Sequence, residues 1–330
     1  MSTELRLTTC PLSRGHNERM KITVLSGGVG GARFLRGLRA AAPAGSQITA
    51  IVNVGDDMWL SGLRIAPDLD SIMYTLAGEN DEQRGWGRVG ESERVSDELR
   101  AYGVGWPWFT LGDLDIGTHI ARTSMLRDGL TLAEATDRIT SRWDLGVHLI
   151  PATNDEVETH VVTDQGEMHF QEWWTRHRAA LTALDFVHHG LDGATPAPSV
   201  VEALETADVV LLAPSNPVVS IGPILAIPGI RSAVEAATVV GISPIISGAV
   251  VRGMADACLT AIGVATTADA VALHYGPALI DGWLVDTSDA LLVEPVETAG
   301  ITARAVPLWM RDPASSAQVA RDALELAQQL

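Results

Sequence analysis

A β-branched run, Lys21–Ser26 (KITVLS), passes directly into Gly27-Gly28-Val29-Gly30-Gly31. Ala32, Leu35, Leu38 and Ala42 then recur at helical spacing, and Pro43-Ala44-Gly45 stops the helix. Residues 47–54 (QITAIVNV) form a second buried-strand pattern. Strand, glycine turn, helix and strand in that order open a parallel α/β sheet and constrain the remainder of the chain to extend it. Further strands are expected at 147–150, 208–213, 238–243 and 280–286. An amphipathic helix at 318–329 closes the chain, with Asp312 as N-cap and Pro313 at the first helical position. Residues 157–163 and 167–171 read as a hairpin turning at Asp164-Gln165-Gly166. The Trp- and Arg-rich middle, about 79–180, reads as an inserted, largely helical subdomain within a single domain over 20–330. The polar residues 1–19 read as a flexible N-terminal extension.

Charge narrows the function classes. Of 330 residues, 23 are Lys or Arg and 41 are Asp or Glu, a net charge of −18 that repels nucleic acid and anionic lipid. An anionic small substrate then needs local cations or a metal. The two cysteines, Cys10 and Cys258, form no CxxC or Cys/His cluster, which points to a reducing cytoplasm. The most apolar stretch, 209–230, is broken by Pro214, Ser215, Asn216, Pro217, Ser220, Pro223 and Pro228, so no membrane span is expected.

The glycine turn could offer helix N–H groups to a phosphate. Arg33 stands where the dinucleotide fingerprint needs its third glycine, and no Gly-Lys-Ser/Thr follows, so neither common phosphate motif is met. The same cluster also suits a tight turn packing helix on sheet. Asn53-Val54-Gly55-Asp56-Asp57-Met58-Trp59 lies at the carboxyl end of the second strand, where sites form in open α/β sheets. Its carboxylates suit Mg²⁺, or simply a solvated turn. Pro67-Asp68-Leu69-Asp70 opens a helix with Asp68 in the N-cap place. Asp56 and Asp70 are then the expected metal ligands, and Asp57 a base that could take a proton from an attacking alcohol. Asp115, His119 and Arg122 share a helix face behind Gly112-Asp113, suited to an anion or to a salt-bridge cluster. Ser215-Asn216 and Ser243 end buried strands as a second phosphate or base cradle, or as proline-packed loops. His169-Phe170-Gln171-Glu172-Trp173-Trp174 reads as subdomain core, and His188, His189 and His274 as incidental. No HExxH, GxSxG or deaminase pattern is present.

Taken in order, SGGVGGAR, IVNVGDD-x-W-x-x-GL-x-I-x-PDLD, LGD-x-D, TH, HFQEWW, PSNPVVSIGPIL and SPII span nearly the whole chain. The chain thereby resembles the 2-phospho-L-lactate transferase family of coenzyme F-420 (deazaflavin) biosynthesis, above all its actinobacterial phosphoenolpyruvate-transferring branch. The resemblance implies a Rossmann-like, doubly wound, mostly parallel sheet, Mg²⁺ dependence and a homodimer. It implies transfer of a phosphoenolpyruvyl or 2-phospho-L-lactyl group from a guanosine diphospho-donor to the ribityl hydroxyl of 7,8-didemethyl-8-hydroxy-5-deazariboflavin (Fo), with GMP leaving. Gly27, Gly28, Gly30, Gly31, Ser215, Asn216 and Ser243 would face the donor. Asp56 and Asp70 would hold the metal beside Fo, and Asn53, Trp59, Asp70, Asp113 and His119 would contact Fo. Archaeal members carry Lys before the LGD motif where this chain has Thr110, so no cationic contact carries over there. Two rivals share the glycine turn. The nucleotide-sugar-binding regulators of gluconeogenic growth show Asp-Asp-Gly-Gly-Ser-Ser-Gly where this chain has Asp56-Asp57-Met58-Trp59-Leu60-Ser61-Gly62. A Rossmann dehydrogenase is disfavoured by Arg33 and the acidic pair.

Overall fold

In a computed structural model, which describes residues 19–330, β1 (Lys21–Ser26) leads into α1 (Gly28–Ala41) and returns as β2 (Gln47–Val52), parallel to β1. The expected extension at 1–19 lies outside the described residues except for Arg19, as does Cys10. Five further strands complete the sheet: β3 (His148–Pro151), β4 (Val209–Leu212), β5 (Val239–Ile242), β6 (Gly282–Asp286) and β7 (Thr302–Val306). They lie in the order β7-β6-β5-β4-β1-β2-β3, and every neighbouring pair is parallel. The order therefore reverses between β1 and β4. In open α/β sheets such a reversal marks a crevice at the carboxyl ends of the strands, where ligands bind. β7 has no counterpart in the sequence reading, because as an edge strand it buries only Val306 and shows no apolar alternation.

Both faces of the sheet are covered, which is why its strands read as continuous apolar runs. Ile22 and Val24 of β1 and Val209 and Leu211 of β4 face a core with Phe34, Leu35 and Leu38 of α1. Leu25, Val210 and Leu212 point the other way, towards Ile224, Ile230, Val271 and Trp283. Three more helices frame the site and the core: α2 (Pro67–Ala77), α3 (Asp113–Arg127) and α4 (Pro313–Ala327). α4 starts as its sequence requires. The Asp312 side chain accepts the Ser315 N–H at 2.7 Å, and Pro313 takes the first helical position.

The middle segment divides. From 53 to 147 the chain forms a small hairpin (Met58–Leu60 with Leu63–Ile65), α2, a helix at Arg94–Ala101, α3, and a helix at Leu132–Thr140. It then returns to the main sheet as β3, within the expected inserted subdomain of about 79–180. The second excursion is an antiparallel sheet in which Glu158–Thr163 lies between Gly166–His169 and Ala183–His189. Its first two strands are the expected hairpin. No helix among the described residues is long and apolar enough to cross a membrane.

Backbone contact between α1 and α4 is as tight as glycine permits. A Cβ on Gly37 would sit 2.3 Å from the Ser316 carbonyl carbon. Gly37→Ala removes a glycine that costs about 0.5–1 kcal/mol in an ordinary helix interior, yet here overpacking of about 1–3 kcal/mol outweighs that gain. The variant is expected to unfold at lower denaturant than the wild type, and a rise in the midpoint would refute the packing argument.

Candidate active site

Three carboxylates meet in the crevice beside β1. The Asp68 Oδ1 accepts the Gly28 N–H at 2.8 Å, and its Oδ2 accepts the Asn53 side-chain amide at 2.9 Å. Asn53 also donates to the Val219 carbonyl at 3.2 Å and lies 3.5 Å from Asp56 Oδ1. Gln171 holds the other Asp56 oxygen at 3.1 Å. Asp68 is thus not the N-cap of α2. Ala66 is the cap residue and Pro67 the first helical residue, so Asp68 falls one step inside and turns its carboxylate across to α1.

This contact explains much of the glycine turn. A Cβ on Gly27 would lie 2.5 Å from Asp68 Oδ2, one on Gly30 would lie 2.6 Å from the Pro214 carbonyl oxygen, and one on Gly31 would overlap the Ser26 hydroxyl. Gly28 alone has open space and a φ of +65°, the left-handed region that favours glycine. Ser215 closes the crevice floor: its hydroxyl donates to the Gly27 carbonyl at 2.7 Å and accepts the Gly27 N–H at 3.1 Å. The turn is tight packing first, with Gly28 left as its open edge.

Asp56, Asp57 and Asp68 are all buried. Burial, then the charges of Asp68 and Asp57, push the Asp56 carboxyl well above its usual range. Burial raises Asp57 to about 7 against the opposing pull of Arg64 and Arg122. Burial raises Asp68 to about 6 in spite of its bonds from Asn53 and Gly28. Asp57 Oδ2 lies 3.4 Å from the Arg64 guanidinium, and its Oδ1 is buried without a partner. Among the described residues, no cation pairs with Asp56 or Asp68 within 4.0 Å.

Asp70, an expected metal ligand, is engaged from α3. Both its carboxylate oxygens receive the Arg122 guanidinium, one of them at 3.0 Å, and the pair is buried. One of the Asp70 oxygens also lies within 4.8 Å of a ligand atom from each of Asp115 and His119, a group of three that could hold a metal ion. His119 lies 3.5 Å from Asp70 and from Asp115 and is buried. Burial works against the Asp115 carboxylate. His119 beside it, by charge and hydrogen bond, then Tyr74 and Arg122, nonetheless hold its pKa below the usual value. The shared helix face of Asp115, His119 and Arg122 exists, but it is turned inward.

Other expected residues find structural partners. The Ser243 hydroxyl donates to the Ile245 carbonyl at 2.8 Å within its own turn. Asn216 caps the short helix Pro217–Ile221 by accepting the Val218 N–H at 2.9 Å. Asp113 heads α3 and ties down the preceding loop through Ser92 and the Val95 N–H. Each of these side chains satisfies a local backbone need. Trp59 remains 40% exposed, its indole donating to Glu156 at 2.9 Å and its ring 5.9 Å from Arg64, which itself reaches Asp57.

The sequence reading missed three groups. Gln171 and Arg64 orient the carboxylates from other elements. A pocket at the start of α1 is lined by Val29, Arg33, Arg36, Trp86 and Arg252. Arg33 had registered only as a missing glycine, and Arg252 lies far along the chain.

The buried ion pair generates a stability expectation. Asp70→Asn leaves Arg122 charged without its partner in the interior, a change that costs about 3–5 kcal/mol. Asp113→Asn, at an exposed helix start, should shift the unfolding midpoint far less. Equal midpoints for the two variants would mean that the Arg122 pair is not formed.

Residues 22–305 match the family described as 2-phospho-L-lactate transferase CofD. The chain is 56% identical over 317 residues to a protein named phosphoenolpyruvate transferase from Kitasatospora aureofaciens, covering 94% of this chain and 99% of that one. It is 55% identical to a Thermobifida fusca protein and 50% identical to a Mycobacterium sp. (strain KMS) protein of the same name, covering 94% and 93% of this chain and 99% of each relative. The crystal structure of protein BH3568 from Bacillus halodurans shares the fold with a TM-score of 0.62 at 19% identity, over 93% of this chain and 100% of that one. With a crevice at the sheet's switch point and a family match over most of its length, this chain belongs to the 2-phospho-L-lactate transferase CofD family.

Proposed function

We propose that this chain transfers a phosphoenolpyruvyl group from a guanosine diphospho-donor to the ribityl hydroxyl of Fo, forming dehydro-F-420-0 and GMP in coenzyme F-420 biosynthesis. The observation that carries the reading is the buried acidic group Asp56, Asp57 and Asp68 at the switch-point crevice, of which only Asp57 meets a cation, in a chain whose relatives are named phosphoenolpyruvate transferase. A phospholactyl donor differs only in its small acid and is the comparison in the test. The resemblance brings with it a homodimer in the cytoplasm, which sedimentation and fractionation would check.

The donor set fits Mg²⁺. Hard carboxylate oxygens, crowded and buried without a cation, are what a small divalent ion prefers. Asp56 and Asp68 would hold it, in place of the Asp56 and Asp70 pair expected from sequence. When bound, Mg²⁺ would offset charge on the diphosphate. Arg33 and Arg252 line the pocket beside α1, in which Glu82 already pairs Arg36, and would receive donor phosphates that the net charge of −18 would otherwise repel. In the transfer, the ribityl oxygen forms a bond to the phosphorus carrying the acid, and the bond to the GMP oxygen breaks. Asp57 Oδ1 takes the hydroxyl proton. Its pKa of about 7 and its free lone pairs suit a base working near neutral pH. Trp59, exposed and linked through Arg64 to Asp57, would give the planar deazaflavin an aromatic wall.

Incubation with Fo and each guanosine donor, with and without chelator, is expected to give a dehydro-F-420-0 mass only with the phosphoenolpyruvyl donor and Mg²⁺. Asp57→Asn should lower kcat by about 10²–10⁴-fold, as loss of a general base does. Trp59→Ala should weaken Fo binding more than donor binding. Unchanged turnover in Asp57→Asn would remove it as the base.

The raised carboxyls also set a pH dependence. In the native state Asp57 keeps its proton up to about 7, whereas an unfolded Asp releases it near 3.8. Stability from this group is therefore complete below 3.8 and lost as pH rises towards about 7. Mg²⁺ competes with those protons, so its gain in melting temperature is expected to be larger at pH 8 than at pH 5. An equal gain at both values would place the ion elsewhere.

A further inference from the structure

The three-stranded antiparallel sheet carries a second cluster that the transfer does not use. Strand register pairs His160 with His169, Glu158 with His189 and Val162 with Glu167. Alternation along each strand then puts Glu158, His160, Glu167 and His189 on one face. Their side chains converge. His160 Nδ1 lies 3.0 Å from Glu167 Oε1, and His189 Nε2 lies 2.5 Å from the same oxygen. The two imidazole rings stand almost perpendicular, at 89°, with centroids 4.4 Å apart. One donor atom from each of His160, Glu167 and His189 falls within 4.8 Å of the others.

We propose that His160, Glu167 and His189 form a binding site for a divalent transition-metal ion of the Zn²⁺ class, separate from the magnesium-type carboxylates of the crevice. Two imidazoles and one carboxylate are a ligand set for zinc and its neighbours, whereas Mg²⁺ favours oxygen donors alone. The three donors leave a fourth position open to solvent, since Glu167 and His189 are about half exposed. The surroundings are arranged for such an ion. Glu158 Oε2 sits 3.6 Å from His160 Nε2, on the side of the ring away from Glu167, where a carboxylate orients a ligating imidazole. Each ligand comes from a different strand, so a bound ion would staple all three strands. The Gly166–His169 strand leads directly to Gln171, which holds Asp56. The site therefore lies one short segment from the crevice without contributing a group to it.

The test is calorimetric titration of tag-free, chelator-stripped protein with ZnCl₂, alongside its melting temperature. One equivalent of Zn²⁺ should bind and raise the melting temperature, and millimolar Mg²⁺ should not displace it. His160→Ala/His189→Ala should abolish the binding, and Glu158→Gln should weaken it about 10–100-fold. Circular dichroism of the metal-free variants is the check that they remain folded, and Asp56→Asn should leave the Zn²⁺ stoichiometry unchanged. Absence of saturable binding, displacement by Mg²⁺, or an unaltered equivalent in the double variant would each overturn the proposal.

Discussion

The reach of the Asp68 carboxylate from α2 to the Gly28 N–H and the Asn53 amide ties together three separate elements: the start of α1, the end of β2 and the first turn of α2. Its position one step inside α2 follows from Pro67, which takes the first helical place and moves the cap to Ala66. Gly27 and the open Gly28 follow from the approach of that carboxylate to α1. A buried acid held by an amide and a backbone N–H is still only partly compensated, and its raised pKa records the deficit. The crevice is therefore a place where the fold stores unfavourable charge that a cation can relieve.

The acidic residues near the crevice fall into two sets. Asp70 of α2 meets Arg122 and His119 of α3, and Asp115 of α3 lies beside His119 and accepts the Tyr74 hydroxyl of α2, so together they lock α3 against α2. Asp56, Asp57 and Asp68 meet only amides, backbone and the edge of the Arg64 guanidinium. The first set is architecture, because breaking a buried pair strands a charge. The second is unfinished electrostatics, a common mark of a site whose function requires perturbed acids. The same logic separates the two faces of the chain's net charge. Acidic residues dominate overall, yet Arg33, Arg36 and Arg252 gather in one pocket beside α1, where Glu82 already pairs Arg36.

The parallel sheet, its first βαβ unit, the hairpin at Asp164-Gln165-Gly166 and the capped final helix were legible in the sequence. Each rests on local periodicity or on a cap whose partners lie a few residues apart. Asp56 and Asp57 could be assigned to a site on the same grounds, since the end of β2 in an open sheet faces the crevice. Trp59 likewise emerged exposed beside them.

What only the tertiary structure decided is which carboxylates are free. Asp68 and Asp70 are two residues apart in one helix turn, and spacing alone gives the cap to Asp68 and the metal to Asp70. Their fates diverge because α1 presents a bare N–H to one, while α3 presents a guanidinium, 52 residues away in sequence, to the other. His119, Ser243 and Asn216 were equally ambiguous, since a polar side chain shows its partner only once the backbone around it is placed. Local order is written in neighbours along the chain. Neutralisation of charge depends on neighbours in space, and in this chain these come from distant helices and strands.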